Sequence, residues 1–230
     1  MPVDRRRAGY LFGPGDRDQA RWVRVGLTDD LDGLPSAAEE ERFIGRLIAR
    51  DERAFNALVR RFERRIFLLV LRMLGSDAEA EELAQEVFVQ VFKNIGSFRR
   101  ESKLSTWIYR IAINLCKNRL KYLRVRRAGE QEPLETVEEQ APLESRSAAR
   151  IAGPDEVAAG RQVESVVRAS ILALEPSFRE CLVLRDVEDL SYEEIADITG
   201  LPEGTVKSRI HRARGQLRLL VEQALGEKIV

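Results

Sequence analysis

The segment LSYEEIADITGLPEGTVKSRIHRARGQLR, residues 190–218, constrains the fold of this chain more than any other stretch. Ser191 and Glu194 stand at the S-x-x-E spacing of a capping box, in which a hydroxyl and a carboxylate each satisfy an otherwise unpaired amide at a helix start. Ile195, Ala196 and Ile198 give the short helix that follows an apolar face, and Gly200 ends it, because glycine enters the left-handed region without steric cost. A second helix is predicted to begin between Glu203 and Thr205, with Val206, Ile210, Ala213 and Leu217 on its apolar stripe. Two helices joined by a tight glycine turn make a helix-turn-helix, in which the first helix braces the second against the major groove.

The polar face of the second helix fits that use. It carries Thr205, Lys207, Ser208, Arg209, His211, Arg212, Arg214 and Arg218 against Glu203. Arg209 and Arg212, three positions apart, project side by side and can grip a guanine or neutralise phosphate, and Ser208 can donate to either. A solvated basic face is the plain alternative, but a capped helix, a glycine turn and a basic helix occur here together. His211 reads equally as a base contact or as an ordinary surface histidine.

Net charge is zero, which taken alone argues against a nucleic-acid partner. The distribution reverses that. Between residues 99 and 127 lie ten basic side chains (Arg99, Arg100, Lys103, Arg110, Lys117, Arg119, Lys121, Arg124, Arg126, Arg127) against Glu101 alone, whereas residues 128–160 hold eight acids against two arginines. Opposite charges segregated into blocks suit segments that face different partners.

Apolar periodicity is helical throughout, and strand signals are absent. Phe55, Leu58, Val59, Phe62, Ile66, Leu69, Val70 and Met73 form one buried helix face that Gly75 terminates. A second helix is expected from Asp77 as N-cap, with Leu83, Val87, Val91 and Ile95 as its stripe and Gly96 as its stop. A third is expected with Ser105 or Thr106 as cap and Ile108, Ile111, Ala112 and Leu115 on its apolar face. Later, Val163, Val166, Val167, Ile171 and Leu174 make a stripe, and Pro176 suits the first turn of the next helix. The expected architecture is all-α: a flexible arm over 1–36, a helical domain over 37–127, a flexible acidic linker over 128–160, and a helix-turn-helix domain over 161–226.

Other classes fare worse. Cys116 and Cys181 have no metal-ligand spacing and read as core residues, and His211 is the lone histidine, so no metal, cofactor or disulfide framework is expected. There is no nucleophile with a histidine base and no phosphate-binding glycine loop, so neither an enzyme nor a small-molecule substrate is expected. A DNA-binding response regulator could end in the same motif but needs strands and a phosphoacceptor pocket, which residues 1–150 do not offer. No apolar run is long enough to span a membrane, and the N-terminus has no apolar signal core, so the expected location is the cytoplasm.

The tract LEPSFRECLVLRDVEDLSYEEIADITGLPEGTVKSRIHRARGQLR resembles region 4 of the extracytoplasmic-function sigma factors, and DAEAEELAQEVFVQVFKNIGSF followed by LSTWIYRIAINLCKNRLKY resembles their region 2. Both tracts in this order cover most of residues 40–222. The resemblance implies a factor that binds core RNA polymerase, through clamp helices of the largest subunit and the flap region, and directs initiation at promoter DNA in response to an environmental or envelope stress. It places Asp77, Glu81, Glu82, Leu83, Gln85, Glu86 and Phe88 against the polymerase. It places Arg99, Arg100, Lys103, Ser105, Thr106, Trp107, Arg110, Asn114 and Lys117 on the minus-ten element, and Thr205, Lys207, Ser208, Arg209, His211, Arg212 and Arg214 on the minus-35 element. Trp107 and Tyr109 could stack on an unpaired base while nearby cations track the backbone, or Trp107 could be core. The resemblance further implies masking by an anti-sigma protein, and residence on the nucleoid when bound to polymerase. The linker can span at most ~110 Å, enough to hold both domains on sites one or two duplex turns apart.

Overall fold

The structure, a computed structural model, describes residues 37–129 and 154–226; the expected arm and residues 130–153 of the expected linker lie outside the described residues. Every regular element among the described residues is helical. The N-terminal module comprises α1 (Ala37–Ile48), α2 (Glu52–Leu74), α3 (Asp77–Asn94) and α4 (Leu104–Gly129), and the C-terminal module α5 (Pro154–Ala173), α6 (Pro176–Leu182), α7 (Tyr192–Thr199) and α8 (Glu203–Leu225). A 3-10 turn, Ile95–Ser97, follows α3, and a π-helical turn, Val183–Val187, follows α6. Helix thus extends past both expected linker boundaries, to Gly129 on one side and back to Pro154 on the other.

Helix α2 begins where the Asp51 carboxylate accepts the Ala54 N–H at 3.0 Å and ends at Gly75, whose φ of 84° lets its N–H donate to the Leu71 carbonyl. Most of the expected stripe is buried, with Leu58, Ile66, Leu69, Val70 and Met73 fully enclosed and Phe55 and Val59 half-buried at its margin. The cap of α3 is Ser76 rather than Asp77: the extended backbone at 76 turns its hydroxyl toward the Glu79 N–H, which leaves the Asp77 carboxylate in the first turn, where the helix dipole favours it. Helix α4 starts earlier than expected. Trp107 N–H donates to the Lys103 carbonyl, so Ser105 and Thr106 lie inside the first turn and cap nothing. Its enclosed face is Leu104, Ile108, Tyr109, Ala112, Ile113 and Cys116, with Ile111 and Leu115 at the margin. That face is wider than one stripe because α4 is covered on two sides, by α2 and α3 of its own module and by α7 of the other.

In the C-terminal module Pro176 occupies the first turn of α6, where its missing N–H has no partner to lose. Both bonds of the capping box at α7 form: Ser191 N–H donates to Glu194 Oε2 at 2.9 Å and Glu194 N–H to Ser191 Oγ at 3.1 Å. Gly200, at φ 73°, turns the chain into α8, whose Val206, Ile210, Ala213 and Leu217 are buried as the stripe predicts. Cys116 and Cys181 are fully buried.

The two modules share a core. Buried side chains run without interruption from Ile44 through Ile108 and Cys116 into Cys181, Leu184, Ile195 and Ile210, while Leu174, Leu182, Ala213, Leu217 and Val221 form a second cluster beneath α8. At Gly75 the contact is close enough that a Cβ would stand 2.9 Å from Leu172 Cδ1.

Candidate nucleic-acid interface

On α8 the apolar stripe turns inward and presents Lys207, Ser208, His211 and Arg212 to solvent, with Thr205 and Arg209 half-buried beside them. Ser208 Oγ donates to the Thr205 carbonyl at 2.9 Å. Lys207 lies 3.4 Å from Glu203 and 5.2 Å above the Tyr192 ring, so its ammonium is steered rather than neutralised. Arg214 departs from the expected DNA-facing set. It donates from Nε and Nη2 to the Asp186 carboxylate at 3.0 and 2.5 Å, tying α8 to the π-helical turn. Burial pushes the Asp186 carboxyl above its ordinary range, and Arg214 opposes that shift. A guanidinium whose fork is already filled by a buried acid holds the module together and cannot also fork onto a base.

In the N-terminal module the expected cations divide into two groups. Arg99 and Asn114 are exposed, and Arg100, at φ 61°, reaches back to Glu41 at 2.6 Å. Arg110 is half-buried, with an Nε that has no hydrogen-bond partner. Lys103 and Lys117 are instead occupied across the module boundary: Lys103 Nζ lies 2.9 Å from Glu194 Oε1, and Lys117 Nζ 3.0 Å from Glu180 Oε1. Thr106 is 1% exposed and its hydroxyl faces no partner, which withdraws it from the DNA-facing set. Ser105 is half-buried.

The two aromatic candidates separate. Trp107 is half-buried, its ring 5.3 Å from that of Phe98 and inclined at 46°, so one edge remains available for a base. Tyr109 does not stack on anything from solvent. It is enclosed, and its hydroxyl donates to Glu188 Oε2 at 2.7 Å.

The expected polymerase-facing helix needs one correction. Leu83 and Phe88 are 2% and 8% exposed and belong to the module core, since they share a side of α3 with Val87 and Val91. Glu81, Glu82 and Gln85 are exposed, and Asp77 and Glu86 half-buried. Arg119 holds Glu82 at 2.9 Å and Glu79 at 2.5 Å, and through that bond keeps the Glu82 carboxyl below the usual range. The apolar groups α3 does present are Val89 and Phe92, each more than two-fifths exposed. Phe92 packs edge-on against Phe55 at 5.0 Å beneath the Arg50 guanidinium. Sequence reasoning missed both, although a signal existed: they fall four and seven positions after Gln85, off the Leu83–Val87–Val91–Ile95 stripe.

Among the described residues no group of side chains could hold a metal ion, and no helix is long and apolar enough to cross a membrane.

Comparison with known proteins matches each helical module to a family. The Sigma-70 region 2 family matches residues 58–126, and the Sigma-70, region 4 family matches residues 165–217. The chain is 35% identical to the RNA polymerase sigma-H factor of Pseudomonas aeruginosa over 82% of its own length and 97% of that protein's. It is 36% identical to the ECF RNA polymerase sigma factor SigW of Bacillus subtilis, covering 73% and 89% of the two chains. Its fold matches that of the sigma factor RpoE of Bartonella quintana, solved in complex with the anti-sigma factor NepR, with a TM-score of 0.58 at 21% identity over 73% and 96% of the chains.

Proposed function

Since this chain belongs to the extracytoplasmic-function sigma factors of the sigma-70 family, non-enzymatic proteins that bind core RNA polymerase and direct promoter-specific initiation, we propose the following division of labour among its residues. Thr205, Lys207, Ser208, Arg209, His211 and Arg212 read the minus-35 element. The observation that carries this is the outward basic face of α8 over a fully buried apolar stripe. Arg99, Arg100, Lys103, Ser105, Arg110, Asn114 and Lys117 track the minus-ten strand, with the free edge of Trp107 available to an extruded base. On α3, Glu81, Glu82, Gln85 and Glu86, with Asp77 at its start, surround Val89 and Phe92. A small apolar centre with an acidic rim suits a polymerase helix that carries arginines and aliphatic side chains.

The helical limits support modules spanning 37–129 and 154–226. The protein acts in the cytoplasm, on the nucleoid once polymerase is bound, and responds to an environmental or envelope stress. An anti-sigma protein is its regulator, a reading supported by the solved relative held in such a complex. The test is run-off transcription from native promoters with core polymerase, with and without the chain. Discrete start sites that appear only with the chain are expected, and identical transcripts in both reactions would reject the assignment.

A further inference from the structure

Tyr192 opens α7, next to the capping Ser191, and its half-buried ring packs at the edge of the core. Two cations use that ring. Arg185, on the π-helical turn, stands with its guanidinium carbon 4.9 Å from the ring centroid and donates to the Leu190 carbonyl at 2.7 Å. Lys207, in the second turn of α8, brings its ammonium to 5.2 Å from the same centroid. One aromatic ring thus joins the turn before the brace helix, the brace helix and the reading helix.

The ring itself is firmly mounted. The capping box fixes the backbone on which it stands, the bond from Arg185 to Leu190 closes the turn beside it, and Arg214 pins that turn to α8 through Asp186. Lys207 by contrast ends a flexible four-carbon stem, and ordering such a stem on a ligand opposes binding. Its other neighbour, Glu203 at 3.4 Å, is half-exposed like the lysine, and an exposed pair of that kind holds a side chain weakly. A ring face attracts the ammonium through its quadrupole without cancelling the charge, so it orders the stem and leaves the cation for an anion. An aliphatic side chain at 192 would fill space against the core without ordering the lysine.

We propose that Tyr192 is a positioning residue for promoter recognition, holding Lys207 ready for a backbone phosphate of the minus-35 element while Arg185 steadies the ring. An ammonium is a compact point charge with rotatable donors, suited to phosphate more than to the fixed pattern of a base edge. The pair then sets the register of α8 in the groove and leaves discrimination between bases to the neighbouring arginines. This inference rests on the minus-35 assignment of Lys207.

The test uses the full chain and a fluorescent minus-35 duplex taken from a start site mapped by run-off transcription, read by anisotropy over a salt series. Tyr192→Leu should weaken binding about two- to fivefold, the fold-change that an exposed cation–π contact supports, and by the same factor on duplexes of different sequence. Tyr192→Phe should bind as the wild type does, since the ring face makes the contact. Lys207→Gln should weaken binding and lower the salt slope by about 0.9, as loss of one phosphate contact requires. Added to Lys207→Gln, Tyr192→Leu should have no further effect, a coupling that a merely structural role would not produce. Pentafluorophenylalanine in place of Tyr192 keeps the shape of the ring and reverses its quadrupole. It should reproduce the loss, and it replaces Tyr192→Leu if that chain loses helix by circular dichroism. Additive losses in the double variant overturn the proposal, as do full affinity with the fluorinated ring and a Tyr192→Phe chain as weak as Tyr192→Leu. Wild-type affinity in Lys207→Gln would refute the minus-35 assignment of Lys207 itself. A loss in Lys207→Gln with none in Tyr192→Leu would refute the positioning role and leave that assignment standing.

Discussion

Arg214 and Asp186 are joined by two hydrogen bonds, at 3.0 and 2.5 Å, that fasten the middle of α8 to the turn preceding α7. Arg212, two residues earlier, is exposed. Adjacent arginines on one basic helix therefore have different tasks. Arg214→Ala leaves a buried acid uncompensated and should cost about 2–4 kcal/mol of stability by urea unfolding, toward the lower end of what a broken buried pair costs.

Arg212→Ala should leave unfolding unchanged. If the side chain reads a base, affinity should fall by about 1–3 kcal/mol at one minus-35 position and specificity there should relax; a uniform loss across all sequences, with a shallower salt slope, would identify a phosphate contact. A mutant set of duplexes measured by anisotropy at two salt concentrations distinguishes these.

On α3, Phe92→Asp and Val89→Asp should weaken competition for core polymerase at least tenfold while the helical content stays wild type, because both side chains are more than two-fifths exposed and lie outside the enclosed core. Leu83→Ala should do the reverse, costing about 2–5 kcal/mol of stability as a core cavity. Equal polymerase affinity in all three would remove α3 from the docking surface.

Stability should respond to pH. Burial raises the Glu180 carboxyl against the pull of Lys117 and Arg209, with Glu175 adding to the rise; burial raises Glu188 likewise against Tyr109, Arg65 and Arg72. A raised carboxyl binds more protons in the folded chain, so its contribution favours folding at low pH and is lost as pH rises through the raised value. Glu194 has the opposite sign: burial raises it, but the Ser191 amide and Lys103 together bring it below the ordinary value, so its contribution is lost only in more acid solution. Urea unfolding should show the wild type gaining stability from pH 8 to pH 5.5 through these two acids, a gain that Glu180→Gln with Glu188→Gln should lack. An equal pH difference in both chains would contradict the raised carboxyls.

Cys116 and Cys181 should resist thiol reagents. Burial pushes the first up to about 12 and the second to about 11, which leaves almost no thiolate near neutrality. Ellman's reagent should titrate both only as the modules part or unfold; rapid reaction in the native wild type would be inconsistent with a shared core.

What the sequence made legible followed from local rules. The capping box at Ser191, the left-handed stops at Gly75 and Gly200, the stripe of α8 and the burial of both cysteines need only helical periodicity and cap chemistry, which depend on neighbours in the chain. Thr106, Tyr109, Leu83, Phe88 and Arg214 were misjudged for one shared reason. Each was assigned by residue type within a functional tract, whereas its role is set by what packs over it from elsewhere. Tyr109 meets Glu188 across a gap of 79 residues, and nothing in the spacing LSTWIYR announces that acid. The cap of α4 was misplaced because Ser105 and Thr106 are both good caps, and only backbone geometry decides that Lys103 precedes the first turn.

The Glu194 carboxylate divides its two oxygens, one taken by the Ser191 amide that starts α7 and the other by Lys103 of the neighbouring module. A change of charge or length there disturbs the brace that seats the reading helix as well as the grip between modules. Lys103 has a second duty of its own, the one proposed on the minus-ten strand, so variation at 103 should be confined to residues that keep a cation and variation at 194 to residues that can still start a helix.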